Sequence, residues 1–316
     1  MNQLDSDKDN QNQSILTNKI DLKLLIQALF KEKILISSVT AIISISAVLY
    51  SLNQPNIYQS TAIVFPAESS KNPTNALGQL GGLASLAGIS ASSLSSGSMN
   101  SVTALKKLET LSFFETSIYP NIYLPELMAF KSWNRITNSN TFDGEIFDIN
   151  SQTWVRVVQS PNRPVPSPQE SFEKFMSNLS ISKDPISGFI TIQIKHQSPF
   201  IAKKWVELIL DQINLFYRER DREQSIAAVN FLNEQLSESS IAEVKLAITA
   251  LLQEEAKKLA LIEASKYYVY DYIDTPAVPE KKSMPNRAMI SIAGFIIGFI
   301  VALLLATIRI SNSRRT

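Results

Sequence analysis

The stretch AMISIAGFIIGFIVALLLATI, residues 288–308, carries no charged side chain over its whole length. A second uncharged stretch, ILISSVTAIISISAVLYSL, occupies residues 34–52, although Ser and Thr dilute its apolar residues. A helix rises about 1.5 Å per residue, so each stretch would cross the roughly 30 Å hydrocarbon layer of a bilayer. The alternative, a pair of buried core helices, is rare at this length without charge. We therefore predict two transmembrane helices, and the apolar core of the first is too long for a cleaved signal peptide.

The basic residues around the first stretch predict its orientation. Lys19, Lys23, Lys31 and Lys33 lie on its N-terminal side, and no Lys or Arg follows it until Lys71. Because cytoplasmic flanks carry the excess of Lys and Arg, we expect a cytoplasmic N-terminus, and the second crossing returns the C-terminus to the same side. The expected boundaries are a cytoplasmic segment 1–33, transmembrane helix 34–52, an external domain 53–287, transmembrane helix 288–308 and a cytoplasmic tail 309–316.

Composition excludes several functions. The expected cytoplasmic segments are too short for a kinase or nucleotide-binding domain, and no GxxxxGK phosphate loop is present. The net charge of +1 gives no electrostatic reason to expect a nucleic acid partner. The chain has no cysteine, which removes disulfides and thiolate chemistry.

The external region predicts both strands and helices. Apolar and polar residues alternate over 56–65 and 189–195, which is typical of strands, and a weaker alternation covers 154–159. A further strand over 267–275 is expected to pair with the first. Residues 100–119 predict an amphipathic helix with Ser101 as its N-cap, and SPQESFEKFMSNL predicts a second helix.

The longest uninterrupted pattern predicts a long helix over about 198–265. No Gly or Pro occurs from residue 200 to 275, and Ser198 and Pro199 form a helix start. Apolar residues recur at steps of three and four, as in long helices and coiled coils, and a break is expected near SESS, residues 237–240. The apolar stripe needs cover from another helix of the same chain or from a neighbouring subunit, and we favour the neighbouring subunit.

Four groups of residues are candidates for functional roles. Prolines Pro276, Pro279 and Pro285 forbid helix before the second transmembrane stretch and predict a stiff joint. Gly294 and Gly298 form a small-xxx-small surface for membrane helix packing, or occur by chance. The charged turn RERDRE is either a solvated face or a source of charge pairs between subunits, and comprises Arg218, Glu219, Arg220, Asp221, Arg222 and Glu223. The fourth group lies in an uncharged loop that is either an ordinary linker or a lumen or interface loop; its candidate residues are Gly78, Gly81, Gly82, Leu83, Leu86 and Gly88.

No active site is predicted from the sequence. His196 is the sole histidine, and we expect it to be a surface or turn residue, without a second ligand for a metal. No pair of carboxylates stands out by its spacing. We therefore expect no catalytic residue, no cofactor and no metal.

Four segments resemble the Wzz-type chain-length determinants, which are bacterial polysaccharide co-polymerases. The segments are KIDLKLLIQALFKEK, PNIYQSTAIVFPAE, GQLGGLASLAGIS and the proline-rich YYVYDYIDTPAVPEKKSMPNRAMI. The resemblance covers nearly the whole chain. It implies a non-enzymatic inner-membrane protein whose partners are further copies of itself in a homo-oligomeric ring, a membrane polysaccharide polymerase, the growing lipid-linked glycan and the lipid bilayer. One branch of the family carries a cytoplasmic tyrosine kinase, but this chain lacks the required phosphate loop.

The expected fold class is α+β, with two transmembrane helices flanking a periplasmic domain that has a membrane-proximal α/β base and a long protruding helix. The expected function is regulation of polysaccharide chain length, in lipopolysaccharide O-antigen, as a scaffold with the membrane polymerase. A component of a polysaccharide export complex and a ligand-sensing membrane receptor remain the alternatives.

Overall fold

The computed structural model describes residues 32–67 and 96–313. In chain order its helices are α1 (Lys33–Asn53), α2 (Ser96–Leu108), α3 (Leu111–Phe113), α4 (Leu124–Met128), α5 (Pro168–Asn178), α6 (Pro199–Glu238), α7 (Ala242–Ala264) and α8 (Arg287–Ser313). The strands are β1 (Tyr58–Pro66), β2 (Phe130–Asn134), β3 (Ser139–Phe142), β4 (Phe147–Asp148), β5 (Thr153–Trp154), β6 (Leu179–Lys183), β7 (Ile190–His196) and β8 (Tyr270–Asp274). The chain divides into two units, of which one is Asn56–Met284 and the other comprises the residues on either side of it.

The helices α1 and α8 form one unit as an antiparallel pair. Both are long and apolar enough to cross a membrane, and most of their residues are not buried. Large apolar side chains such as Ile42, Phe295 and Leu304 are exposed around their outer faces. A core helix of a soluble domain would bury these side chains, so the exposure favours lipid as their surroundings.

The second unit contains a four-stranded antiparallel sheet in the order β6-β7-β1-β8. Tyr58 lies opposite His196, and Pro66 lies opposite Tyr270, so β1 is central and pairs with β8 as predicted. Residues at alternate positions of β1 and β7 are buried, because successive side chains of a strand point to opposite faces.

The core lies between this sheet and the first half of α6. Trp205, Ile209 and Ile213 are fully buried on the helix, against Ile192 and Ile194 of β7. Complete burial of each such side chain contributes about 1.5–3 kcal/mol. The helix α6 continues beyond this core, and its 40 residues span about 60 Å.

The helices α6 and α7 form a hairpin. The backbone of Ser239 is extended and ends α6, which confirms the predicted break. The returning α7 packs on α6, so the apolar stripe, for which the sequence favoured a neighbouring subunit, is covered in part by the same chain. The predicted α+β class, with a long helix and two apolar helices outside the mixed domain, is confirmed.

Two local predictions were wrong, and two short strand pairs were not predicted. Ser101 is not an N-cap, because it lies inside α2. The predicted helix over 100–119 is also interrupted: α2 ends at Leu108, and the Thr110 hydroxyl accepts a hydrogen bond from the Phe113 N–H and caps a new helical turn. The expected strand over 154–159 is reduced to the last residue of β5. The antiparallel pairs β2–β3 and β4–β5 were not anticipated at all.

Candidate functional site

The proline-rich segment between β8 and α8 lies along the start of β1. The Ser60 hydroxyl donates to the Ala277 carbonyl oxygen at 2.9 Å. The Ile57 N–H donates to Met284 O at 2.9 Å, and the Ser283 N–H donates to Ile57 O at 2.8 Å. These bonds fix the segment in a non-helical path.

The three predicted joint residues occupy different surroundings. Pro276 is buried, and Pro279 is half-buried within the same unit. Pro285 is also half-buried and lies two residues before Arg287, where α8 begins.

The glycines Gly294 and Gly298 lie on the face of α8 that packs against α1. A Cβ atom at Gly294 would overlap the Cβ of Ala47, and a Cβ at Gly298 would lie 3.1 Å from the Cβ of Ile43. Ala302 and Ala306 continue this face at the same spacing and are fully buried. The small-residue face therefore packs within the chain, where backbones approach closely.

The described contacts of the charged turn on α6 are with other residues of the same chain. Asp221 is only 5% exposed and accepts hydrogen bonds from the Tyr268 hydroxyl at 2.8 Å and from Arg220 at 2.6 Å. Arg222 Nε donates to Glu263 of α7 at 2.8 Å.

The remaining residues of the turn are less enclosed. Glu219 lies 3.6 Å from Arg222, Arg218 is half-buried, and Glu223 is exposed. The fourth candidate group, the loop containing Gly78, Gly81, Gly82, Leu83, Leu86 and Gly88, lies outside the described residues.

His196 is a buried residue at the end of β7, which corrects the expectation of a surface or turn position. It is 8% exposed, and its Nδ1 accepts from the Ser198 N–H at 2.9 Å. Its Nε2 lies 3.0 Å from the Glu126 carbonyl oxygen, so Nε2 carries the proton. Burial lowers the pKa of His196 from 6.5 to about 4. Both ring nitrogens of this neutral imidazole have partners, so the residue holds structure and has no site for proton transfer.

No metal cluster is found in the described ranges 32–67 and 96–313. Within them no three His, Asp or Glu side chains lie close enough to hold an ion. The expectation that the chain needs no metal or cofactor stays a prediction.

A groove that the sequence did not predict lies at the start of β1. Its volume is about 460 Å³, and the three aromatic side chains that line it are Tyr58, Trp133 and Phe200. The Trp133 ring centroid lies 5.5 Å from that of Tyr58 and 6.1 Å from that of Phe200. Pro279, in the proline-rich segment, also lines the groove.

Three polar side chains also line this groove: those of Arg135, Asn138 and Glu280. Asn138 ends the β2–β3 turn with a positive φ of 50°, and its Oδ1 accepts from Trp133 Nε1 at 3.0 Å. The lining residues come from four distant segments, so no sequence spacing could reveal them. The Asn at the turn was the one local signal.

The described residues thus form an α+β domain together with a pair of helices that are apolar enough to cross a membrane. Residues 18–110 match the family model described as "Wzz: Chain length determinant protein". This match confirms, over these residues, the resemblance to the Wzz-type chain-length determinants that was stated from the sequence. No curated protein sequence matches the chain.

Two solved structures are similar to the chain at low identity. One is a "full-length bacterial polysaccharide co-polymerase", with 14% identity and a TM-score of 0.41, covering 94% of this chain and 99% of that one. The other is a "Fragment of WzzB, Polysaccharide Co-polymerase from Salmonella Typhimurium", with 15% identity and a TM-score of 0.28, covering 72% of this chain and 100% of that one.

Proposed function

We propose that the protein is a non-enzymatic inner-membrane regulator of polysaccharide chain length, acting on lipopolysaccharide O-antigen. The observation that carries this proposal is the match of residues 18–110 to the chain length determinant family. This match spans α1, β1 and α2. The Lys-rich N-terminal flank supports cytoplasmic termini and a periplasmic domain.

The regulator acts as an oligomeric scaffold. The hairpin α6–α7 leaves large apolar side chains exposed, among them Phe231, Leu251 and Leu246, the last of which is 73% exposed. Apolar side chains grouped on one element favour a partner surface. Further copies of the chain supply that surface and form a ring, which engages the membrane polymerase and the growing lipid-linked glycan and biases when extension stops.

The proline-rich segment couples the domain to the second membrane helix. Hydrogen bonds to Ile57 and Ser60 hold the backbone of this segment. Its prolines further restrict the backbone, because the proline ring fixes φ. A stiff segment keeps the scaffold at a set position relative to the polymerase, whereas a flexible one would let it wander.

Deletion of the gene, followed by complementation, tests the function. We expect the deletion strain to make a normal amount of polysaccharide with a broad length distribution on a gel, and the complemented strain to recover a narrow one. Loss of the polymer itself would support the export alternative. An unchanged distribution would refute length control.

A further inference from the structure

The groove beside Trp133 combines aromatic surface with polar groups that are largely unpaired among the described residues. Phe200, the second residue of α6, is 46% exposed, and Trp133 is half-buried. In the described parts of the chain, the side chains of Arg135 and Glu280 make no hydrogen bond or ion pair. Asn138 accepts one bond through Oδ1 and makes none through its NH2 group.

The chemistry of the lining selects among ligand classes. One cation and one anion face the groove, so the lining has no net charge and does not favour a strongly anionic ligand. The Asn138 NH2 and the Arg135 guanidinium donate hydrogen bonds, and Glu280 accepts them. A ligand with apolar faces and many hydroxyl groups satisfies both sets, because its C–H faces pack on aromatic rings while its hydroxyls bond to the polar groups.

An apolar occupant fits this groove poorly. An acyl chain or an apolar side chain would cover the donors of Arg135 and Asn138 without satisfying them, and burial of an unsatisfied polar group is costly.

We propose that this groove binds a short stretch of the saccharide whose length the protein regulates. The inference rests on the proposed function for the identity of the ligand. The volume of the groove, about 460 Å³, lies within the range of about 300–1,000 Å³ that is common for small-ligand sites. The site lies between the first residue of β1 and the proline-rich segment, so a bound saccharide contacts the part of the domain that continues into both apolar helices.

The test uses the full-length protein in nanodiscs and the polysaccharide of the strain that encodes it, freed of its lipid. Saturation-transfer-difference NMR titrations measure the affinity, with dextran and empty nanodiscs as controls for non-specific binding. We expect saturable binding that Trp133→Ala weakens at least tenfold. Arg135→Ala and Glu280→Ala, which remove no hydrogen bond or ion pair among the described residues, should each weaken it about fivefold.

The matched control is Trp154→Ala, because Trp154 packs on Phe147 outside the groove. Equal affinity of the wild type and the Trp133, Arg135 and Glu280 variants would overturn the proposal, as would absence of binding or equal binding to empty nanodiscs. Thermal unfolding shows whether Trp133→Ala weakens binding because the protein is unfolded. If the Trp133→Ala variant does not fold, the affinities of the Arg135→Ala and Glu280→Ala variants test the proposal instead.

Complementation distinguishes the two proposals. Suppose that the deletion strain loses its narrow length distribution and that the Arg135→Ala, Glu280→Ala double variant restores it fully. This result would refute saccharide binding in the groove and would support length control. A deletion strain with an unchanged distribution would sink length control itself.

Discussion

Asn214 joins the long helix to the last strand through one buried side chain. Its Oδ1 accepts hydrogen bonds from the backbone N–H groups of Tyr268, Val269 and Tyr270 at 2.7–3.0 Å. Its Nδ2 donates to the carbonyl oxygens of Leu210 and Tyr270, both at 3.0 Å. The side chain therefore satisfies the backbone where α7 ends and β8 begins.

We expect Asn214→Leu to destabilise the domain by about 3 kcal/mol, because it leaves several buried backbone groups unpaired. The melting temperature, followed by circular dichroism in detergent, should fall by roughly 5–10 °C. The control is Asn230→Leu, an exposed position on the same helix. An equal effect of the two substitutions would contradict the role of Asn214.

His196 makes stability depend on pH. The unfolded chain binds a proton at this residue as the pH falls through about 6.5, whereas the folded chain stays neutral until about 4. The unfolded state therefore binds more protons in this window, so the free energy of unfolding falls as the pH drops, by up to about 3 kcal/mol.

Melting temperatures measured from pH 7 to pH 4 check this prediction, with His196→Leu as the comparison. Burial raises the pKa values of Glu126 and Asp211, which changes stability in the opposite sense, and the variant retains both groups. We expect its melting temperature to fall less over this range than that of the wild type. Parallel curves would show that His196 contributes nothing.

The sequence could not predict these two residues. Asn214 lies within an unbroken helical pattern, and the groups that it binds at Tyr268, Val269 and Tyr270 are more than fifty positions away. His196 continues the buried alternation of Ile190, Ile192 and Ile194 along β7, so the period of the strand was the available signal. The expectation of a surface position followed the general tendency of a lone histidine, whereas the period of the strand indicates a buried one.

At the scale of elements, the α1–α8 pair can be tested with engineered thiols, because the chain has no cysteine of its own. Ile43→Cys combined with Gly298→Cys should form a disulfide on oxidation. A Cβ at Gly298 lies 3.1 Å from that of Ile43, so the two atoms need to move apart by only about 0.4 Å to enter the range of about 3.5–4.5 Å that a disulfide requires. Loss of reaction with a maleimide polymer, without a dimer band, would identify an intrachain bond.

The control pair replaces Ile43→Cys with Ile42→Cys, because Ile42 is exposed. We expect its thiols to stay reactive. Cross-linking of both pairs alike, or dimers from the first pair, would contradict the observed helix contact.

The proline-rich segment carries a second prediction. Pro285→Ala should broaden the distribution of polysaccharide lengths on a gel at normal protein level, because alanine permits backbone conformations that proline forbids. Pro279→Ala should add to the effect, but Pro279 also lines the groove, so Pro285→Ala is the cleaner test. Pro164→Ala, in an exposed loop, is the control. A narrow distribution in the Pro285 variant would refute the joint.

Element prediction from sequence succeeded where a pattern was long. The two uncharged stretches, the alternation in β1 and β7, and the helical spacing through α6 and α7 all predicted the observed structure. It failed for β2–β3 and β4–β5, because these strands are only two to five residues long and pack through aromatic contacts. Such short strands carry too little periodicity to be recognised.

At the scale of the whole molecule, the exposed apolar residues of the hairpin predict self-association. Leu246→Asp and Leu251→Asp should each shift the particle mass of the detergent-solubilised protein towards smaller species, because a buried charge at a subunit contact is costly. Mass photometry measures the shift.

The matched control for this charge is Gln253→Asp, at an exposed polar position on the same helix. We expect it to leave the mass distribution unchanged. If both leucine variants retain the wild-type mass, the subunit contact lies elsewhere and the hairpin is not its site.

The sheet order also constrains the biogenesis of the protein. Its central strand is made first, yet Tyr58 must wait for His196, and Pro66 must wait for Tyr270 at nearly the far end of the domain. Pairing over such sequence distances slows folding. Before β7 is made β1 has two open edges, and before β8 is made it keeps one. Open strand edges are prone to join other chains. The domain therefore closes only when the ribosome has almost finished it, which makes the nascent chain, before β8 emerges, its most aggregation-prone form.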